Sequence, residues 1–275
     1  MFYPVCVFNG EAPGPTKGTQ MIALVLAAGY ATRLYPLTLN TPKPLLTVGP
    51  KTMIDYIVDE IETICDVNKI VVVTNHRFAG HFDEWAQKRL SEDAGNGISL
   101  PIEIIDDGTT DDSNKLGAIG DIQFVIDKLS IDEDLMIIAG DNLFTYKLSD
   151  MYDFFKTNGK DTLVAIHVES VEQLRKLAVA NLDEDGKVLS LAEKPKDPKS
   201  HTAIYATYMY LKETLPMIRQ YLDEGNTPDA PGNFPSWLYT RKDVLAYRAP
   251  GICIDIGTPE NYKDVCDNYE EILGL

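Results

Sequence analysis

The chain has 275 residues, 44% apolar and 24% charged, with 16 prolines, a balance that excludes a disordered, fibrous or disulfide-stapled protein. Its 25 Lys and Arg face 42 Asp and Glu, a formal charge of −17. Such a chain is a poor partner for nucleic acid or an anionic membrane, because phosphate backbones and acidic leaflets attract basic faces.

The first 20 residues are rich in Gly, Pro and Thr and lack the basic, then apolar, order of a signal peptide, so they read as a loose extension with Met21 as the natural start. Met21 to Ala28 is the longest apolar run, far short of the roughly 18 residues that span a bilayer, and it ends at Gly29. Cys6, Cys65, Cys253 and Cys266 are scattered without a C-x-x-C pair, so reduced thiols in a soluble, cytoplasmic protein are expected. Ile22 to Ala27 reads as a strand buried on both faces. After a proline-punctuated loop, Ile54, Ile57, Val58, Ile61 and Ile64 fall at helical spacing. Lys69 to Thr74 is a second strand, Phe78 to Leu90 a helix, Pro101 to Ile105 a strand, Gly117 to Leu129 a helix, and Leu135 to Ala139 a fourth strand ending in Gly140-Asp141. This alternation predicts an α/β protein with a doubly wound, mostly parallel central sheet.

Beyond residue 160 the pattern changes. Thr162 to Val168, Ala178 to Leu182, Val188 to Leu191 and Ala203 to Leu211 read as partly antiparallel strands, closed by a helix over Pro259 to Ile272. Asp183 to Gly186 reads as a hairpin turn rather than a calcium loop, since the distal Glu of an EF-hand is missing. The division expected is a nucleotide-binding half over 21–160 and a second half over 161–275.

In an open parallel sheet, ligands sit beyond the carboxyl ends of the strands. Behind the first strand stands LAAGYATRLYPLTLNTPKPLL, residues 26 to 46, which is neither a dinucleotide fingerprint nor a P-loop. Ala27, Ala28, Gly29 and Ala31 let the backbone approach a ligand and present amides to phosphate oxygens, while Arg33 and Lys43 add cations, so the loop reads as an anion site.

LAAGYATRLYPLT followed by PKPLL, then AGDNLF (139–144), AEKPKDP (192–198) and IDIGTPENY (254–262), resembles in order the motifs of the sugar-1-phosphate nucleotidyltransferases, or nucleotide-sugar pyrophosphorylases. The resemblance covers residue 21 to about residue 270. It implies a Rossmann-like nucleotidyltransferase fold with a smaller sugar-binding half. The reaction implied moves a nucleotidyl group from a nucleoside triphosphate to a sugar 1-phosphate and releases pyrophosphate, with Mg²⁺ as cofactor. A sugar phosphate is mostly dianionic at neutral pH, its second pKa being about 6, so the reaction needs charge neutralisation and positioning more than a strong base.

By the same resemblance Arg33 contacts the leaving pyrophosphate, Lys43 the phosphates near the scissile bond, Lys194 the sugar phosphate and Glu193 the sugar hydroxyls. Asp141 and Asp255, each an acid after an apolar strand, form the implied metal pair. Gly117 and Ala118 let the base lie against the backbone, although NKLGAIGD (114–121) departs from the thymidylyl members' segment. Ala178 and Ala206 stand where many members have glycine beside the sugar, and Tyr205 where a small hydroxyl residue is common; these changes either narrow or reshape the pocket or are purely structural, since strands tolerate alanine as readily as glycine.

His76, His81, His167 and His201 are not spaced as ligand pairs and read as structural. The acids at 106–107 and 111–112 read as a solvated loop, and Trp237 as a core anchor or subunit contact. A homo-oligomer is compatible with the sequence. Two other functions are compatible with the motifs: a cytidylyltransferase for a phosphorylated amino alcohol, against which the intact EKP motif argues, and a non-catalytic sugar-nucleotide-binding subunit, against which retention of Arg33, Lys43, Asp141 and Asp255 argues.

Overall fold

The computed structural model describes residues 20–94 and 100–274. The expected extension, apart from residue 20, and Cys6 lie outside them. The elements are β1 (Met21–Leu26), β2 (Thr47–Val48), β3 (Lys51–Thr52), α1 (Met53–Ile61), β4 (Val67–Thr74), α2 (Ala79–Ala94), β5 (Ile102–Asp106), α3 (Ala118–Leu129), β6 (Asp134–Ala139), β7 (Asn142–Phe144) and α4 (Leu148–Asn158). They continue with β8 (Asp161–His167), α5 (Val171–Leu174), β9 (Ala178–Leu182), β10 (Val188–Glu193), β11 (Thr202–Tyr210), α6 (Leu215–Asp223), α7 (Asn233–Leu238), β12 (Val244–Arg248), β13 (Cys253–Asp255), α8 (Pro259–Asp267) and α9 (Tyr269–Leu273).

Strand β1 is apolar throughout because both of its faces are covered. Met21, Ala23 and Val25 pack with Ile54, Ile57 and Val58 of α1, Phe82 of α2 and Phe155 of α4. The alternate residues Ile22 and Leu24 pack with Ile119 and Val125 of α3, Ile218 of α6 and Phe234 of α7. Burial of each such side chain stabilises the fold by about 1.5 to 3 kcal/mol.

Strands β6, β1, β4 and β5 lie in that order and pair in parallel. The chain runs from β1 out to β4 and β5, then returns to β6 on the other side of β1, which opens a crevice beyond the carboxyl ends of β1 and β6. Strand β11 pairs antiparallel with β6, and antiparallel β9, β10 and β8 extend the sheet, with β12 parallel to β8. The sheet thus continues across residue 160, mostly parallel on one side and antiparallel on the other, as the periodicity predicted.

The Asp183 to Gly186 segment is the β9–β10 turn. Asp183 Oδ1 accepts the amides of Asp185 and Lys187 at 3.1 and 2.8 Å, and Gly186 takes φ +87°. Other expectations are corrected. The terminal helix is broken at Asn268, whose φ of −120° is not helical, giving α8 and α9. Cys65 is disulfide-bonded rather than reduced, whereas Cys253 and Cys266 are free. Trp237 packs partly buried against the second core cluster, stacked on Phe234, with its Nε1 donating to Glu224, which fits a core anchor. Among the described residues, no helix is long and apolar enough to cross a membrane.

Candidate active site

The loop after β1 stays irregular because its backbone is committed to turns. Ala31 adopts the left-handed conformation at φ 46°, with its carbonyl held by the Thr38 hydroxyl at 2.8 Å, and short 3-10 turns follow at Thr32–Leu34 and Lys43–Leu45. Leu34 and Leu46 anchor these turns in a third apolar cluster with Leu143 and Ile256. That cluster ties three distant segments together: Leu46 lies three residues after Lys43, Leu143 two after Asp141, and Ile256 one after Asp255.

As a result, the Lys43 ammonium meets Asp141 Oδ2 and Asp255 Oδ1, each at 2.9 Å. Lys43 is buried, 5% exposed. Burial alone would pull its pKa down, but the two carboxylates outweigh that loss and raise it, so the side chain remains a cation. Asp141 closes the turn between β6 and β7. Asp255 ends β13, which pairs antiparallel with β7 and sets Asp255 opposite Asn142. The two acids come from positions 114 residues apart, and a two-strand ribbon of three residues each puts them side by side.

A cavity of about 420 Å³ opens here, lined by Ala27, Gly29, Arg33, Lys43, Asp141 and the unforeseen Lys115. A methyl group added at Gly29 would meet no protein atom within 4 Å, so the glycine leaves space to the cavity rather than to packing. Among the described residues Arg33 has no ion-pair partner; Gly257 lies beside it, where a Cβ would sit 3.9 Å from the guanidinium. Arg33, Lys43 and Asp141 are therefore brought to one cavity.

A neighbouring cavity of about 290 Å³ is lined by Ala28, Gly29, Gly117, Ala118, Asp107 and Asp121, with Asp141 at the shared boundary. Gly117 has φ +80°, and a Cβ there would lie 2.8 Å from the Pro228 backbone, so both conformation and space require glycine. Asp107 is buried rather than solvated, which corrects the reading of that acidic loop, whereas Asp106 pairs with exposed His76 at 2.6 Å and Asp111 is exposed.

Burial, reinforced by the charge of Asp107, pushes the Asp121 carboxyl up to about 8. Among the described residues its Oδ1 is buried without a hydrogen-bond partner, which makes a negative charge there costlier still. Asp121 is thus neutral in the folded chain at pH values where the unfolded chain ionises it. Stability should fall as pH rises from the ordinary carboxylate value of 3.8 towards about 8. Asp121→Asn is expected to flatten this dependence and to raise Tm at pH 8. Parallel pH profiles of Tm for parent and variant would remove the assignment.

On the antiparallel side, Glu193 ends β10 and is held half-buried. Burial raises its carboxyl pKa, and the charge of Lys194, 3.6 Å away, offsets only part of that rise. Lys194 itself is exposed and carries φ 46°, a left-handed backbone in a non-glycine residue of the kind that concentrates at functional sites. Ala178 is buried, Ala206 half-buried and Tyr205 buried. Gly232, which sequence reasoning missed, fits under Glu193: a Cβ there would stand 2.1 Å from Glu193 Oε2 and 3.2 Å from the Ala178 methyl. Neither Glu193 nor Lys194 lines the cavity that holds Arg33 and Lys43.

Comparison with known proteins adds a second line of observation. Residues 22–272 match the family model described as nucleotidyl transferase. The chain is 30% identical over 252 residues to a glucose-1-phosphate adenylyltransferase of Ruminiclostridium cellulolyticum, covering 87% of this chain and 57% of the relative. It is 26% identical over 254 residues to the mannose-1-phosphate guanylyltransferase catalytic subunit beta of Drosophila pseudoobscura, covering 91% and 63%. The chain therefore spans about three fifths of the length of these relatives. Its fold matches that of a UDP-glucose pyrophosphorylase solved with UDP-glucose, with a TM-score of 0.75 at 20% identity over 92% of this chain and 99% of the other. With a family match running from β1 into α9, the chain belongs to the nucleotidyl transferase family.

Proposed function

We propose that the protein transfers a nucleotidyl group from a nucleoside triphosphate to a sugar 1-phosphate, forming a nucleoside-diphosphate sugar and pyrophosphate. The observation that carries this reading is the Lys43 ammonium held by Asp141 and Asp255 at the crevice where the sheet order reverses, beside Arg33 and the Ala27 to Gly29 backbone. Residues 21–160 serve as the nucleotide-binding half and 161–275 as the sugar-binding half. In the reaction, a sugar-phosphate oxygen bonds to the α-phosphorus while the bond from that phosphorus to the oxygen bridging the β-phosphate breaks, and pyrophosphate leaves with the electron pair.

Arg33 draws charge from the departing pyrophosphate, and Lys43, fixed by its two carboxylates, neutralises the α-phosphate. Lys194 orients the sugar phosphate and Glu193 accepts from sugar hydroxyls. Ala28, Gly117 and Ala118 support the nucleoside, while Ala178 and Ala206 bound the sugar. Asp141 and Asp255 fit a Mg²⁺ ion. Each gives Lys43 only one oxygen, both side chains are close to half exposed, and an all-oxygen donor set suits a hard cation. When bound, Mg²⁺ supplies charge neutralisation on the triphosphate.

A matrix of nucleoside triphosphates against sugar 1-phosphates, read by pyrophosphate release, tests the reading. Turnover with at least one pair is expected. Turnover only with a phosphorylated amino alcohol, or silence together with tight sugar-nucleotide binding, would contradict it. For the productive pair, Lys194→Ala is expected to raise the sugar-phosphate KM about tenfold or more while moving the triphosphate KM little. Equal change in both would remove Lys194 from the sugar side.

A further inference from the structure

We propose that His167, Glu169 and His201 form a binding site for a divalent transition-metal ion of the zinc class, separate from the Asp141–Asp255 pair. The two histidines stand 34 residues apart in sequence, which suggested separate structural roles. Pairing of β8 with β11 sets His167 opposite Thr202, the residue after His201, and so brings the rings together. One ring nitrogen of each histidine and one Glu169 oxygen all lie within 4.8 Å of one another. The rings are nearly parallel, at 27°, with centroids 5.6 Å apart.

The local hydrogen bonds prepare these groups for a metal. His201 Nδ1 lies 2.9 Å from the Val168 carbonyl oxygen. A carbonyl can only accept, so Nδ1 carries a hydrogen, and in the neutral ring Nε2 is then the nitrogen with the lone pair. This is the arrangement in which a backbone carbonyl orients a metal-ligating imidazole. The Val168 amide donates in turn to the His201 carbonyl at 2.8 Å, which fixes the two segments against each other. His167 Nε2 lies 3.0 Å from Glu169 Oε1, so a ligand nitrogen and a ligand oxygen are already paired.

Ligand atoms around tetrahedral zinc lie about 3 to 3.5 Å apart. Rotation of exposed side chains closes the remaining gap: His167 is 65% and Glu169 87% exposed. Two imidazoles and one carboxylate favour zinc-class ions over Mg²⁺, which takes oxygen ligands and keeps its water. Three protein ligands leave a fourth position. His167 and Glu169 line a cavity of about 690 Å³ that also reaches Lys176 and Asp255, so that position opens toward a space shared with the active-site acid. On binding, the metal takes His167 Nε2, and the ring hydrogen of the neutral imidazole moves to Nδ1, with no net proton release.

The test uses the tag-free full-length protein in excess Mg²⁺, so that the Asp141–Asp255 pair is occupied, and titrates Zn²⁺ by calorimetry. One zinc per chain with a micromolar Kd is expected, with His167→Ala and His201→Ala each weakening it by about tenfold or more. In the parent protein, long-range nitrogen–proton spectra should show Nε2 of both histidines shifting with zinc while His201 Nδ1 retains its hydrogen. Zinc that binds no tighter than about 1 mM, affinity that survives loss of both histidines, or ring nitrogens that do not respond would each overturn the proposal.

Discussion

Asp141→Asn and Asp255→Asn are each expected to lower turnover by about a thousandfold or more, equivalent to about 4 kcal/mol of transition-state stabilisation. The two carboxylates converge on one point, each spends a single oxygen on Lys43, and each is open enough to hold a cation against a triphosphate. An amide preserves the shape of either side chain while removing its charge. The half-saturating Mg²⁺ concentration should therefore rise by about tenfold or more alongside the fall in turnover. Retention of near-parent activity, or an unchanged Mg²⁺ requirement, would contradict the metal-pair assignment for the residue concerned.

Lys43→Met is expected to lower kcat by about one hundred- to one thousandfold, the usual cost of removing one preorganised charge from the reacting phosphates. Its accompanying signature differs from that of the aspartates. With the ammonium gone, Asp141 and Asp255 lose their protein counterion, so Mg²⁺ should bind at least as tightly as in the parent. Methionine retains most of the buried stem, which keeps the loss of packing small. A variant whose turnover recovers fully at high Mg²⁺ would show that Lys43 serves only to hold the acids in place.

The physics of burial explains which parts could be read in advance. Continuous apolar strands such as β1 and β6 announce themselves because helices cover both faces of the sheet. Three of the motifs likewise identify loops that the fold brings together around Arg33, Lys43, Asp141 and Asp255, whereas AEKPKDP lies on the antiparallel side, outside the Arg33–Lys43 cavity. Helix α4, absent from the expected elements, buries Leu148, Met151, Tyr152 and Phe155 at an equally regular helical spacing. The β7–β13 ribbon did not, since three-residue strands carry too little periodicity to detect, yet this ribbon aligns the two acids.

Other features depend on contacts between distant segments. Gly232 resembles any loop glycine until Glu193 is seen above it, and Asp107 resembles a solvated acid until Asp121 is placed beside it. The pairing of His167 with His201 follows from strand register, which neither residue's own neighbourhood records. Lys115 is likewise visible as a site cation only once its loop is folded over the cavity.

The most direct measurement follows the oxygen atoms of the reaction. With a productive substrate pair, a sugar 1-phosphate labelled with heavy oxygen throughout its phosphate should deliver all of its label to the nucleoside-diphosphate sugar, leaving none in pyrophosphate. That result requires the sugar-phosphate oxygen to attack the α-phosphorus. Label in the pyrophosphate, or loss of label from the sugar nucleotide, would contradict nucleotidyl transfer at this site.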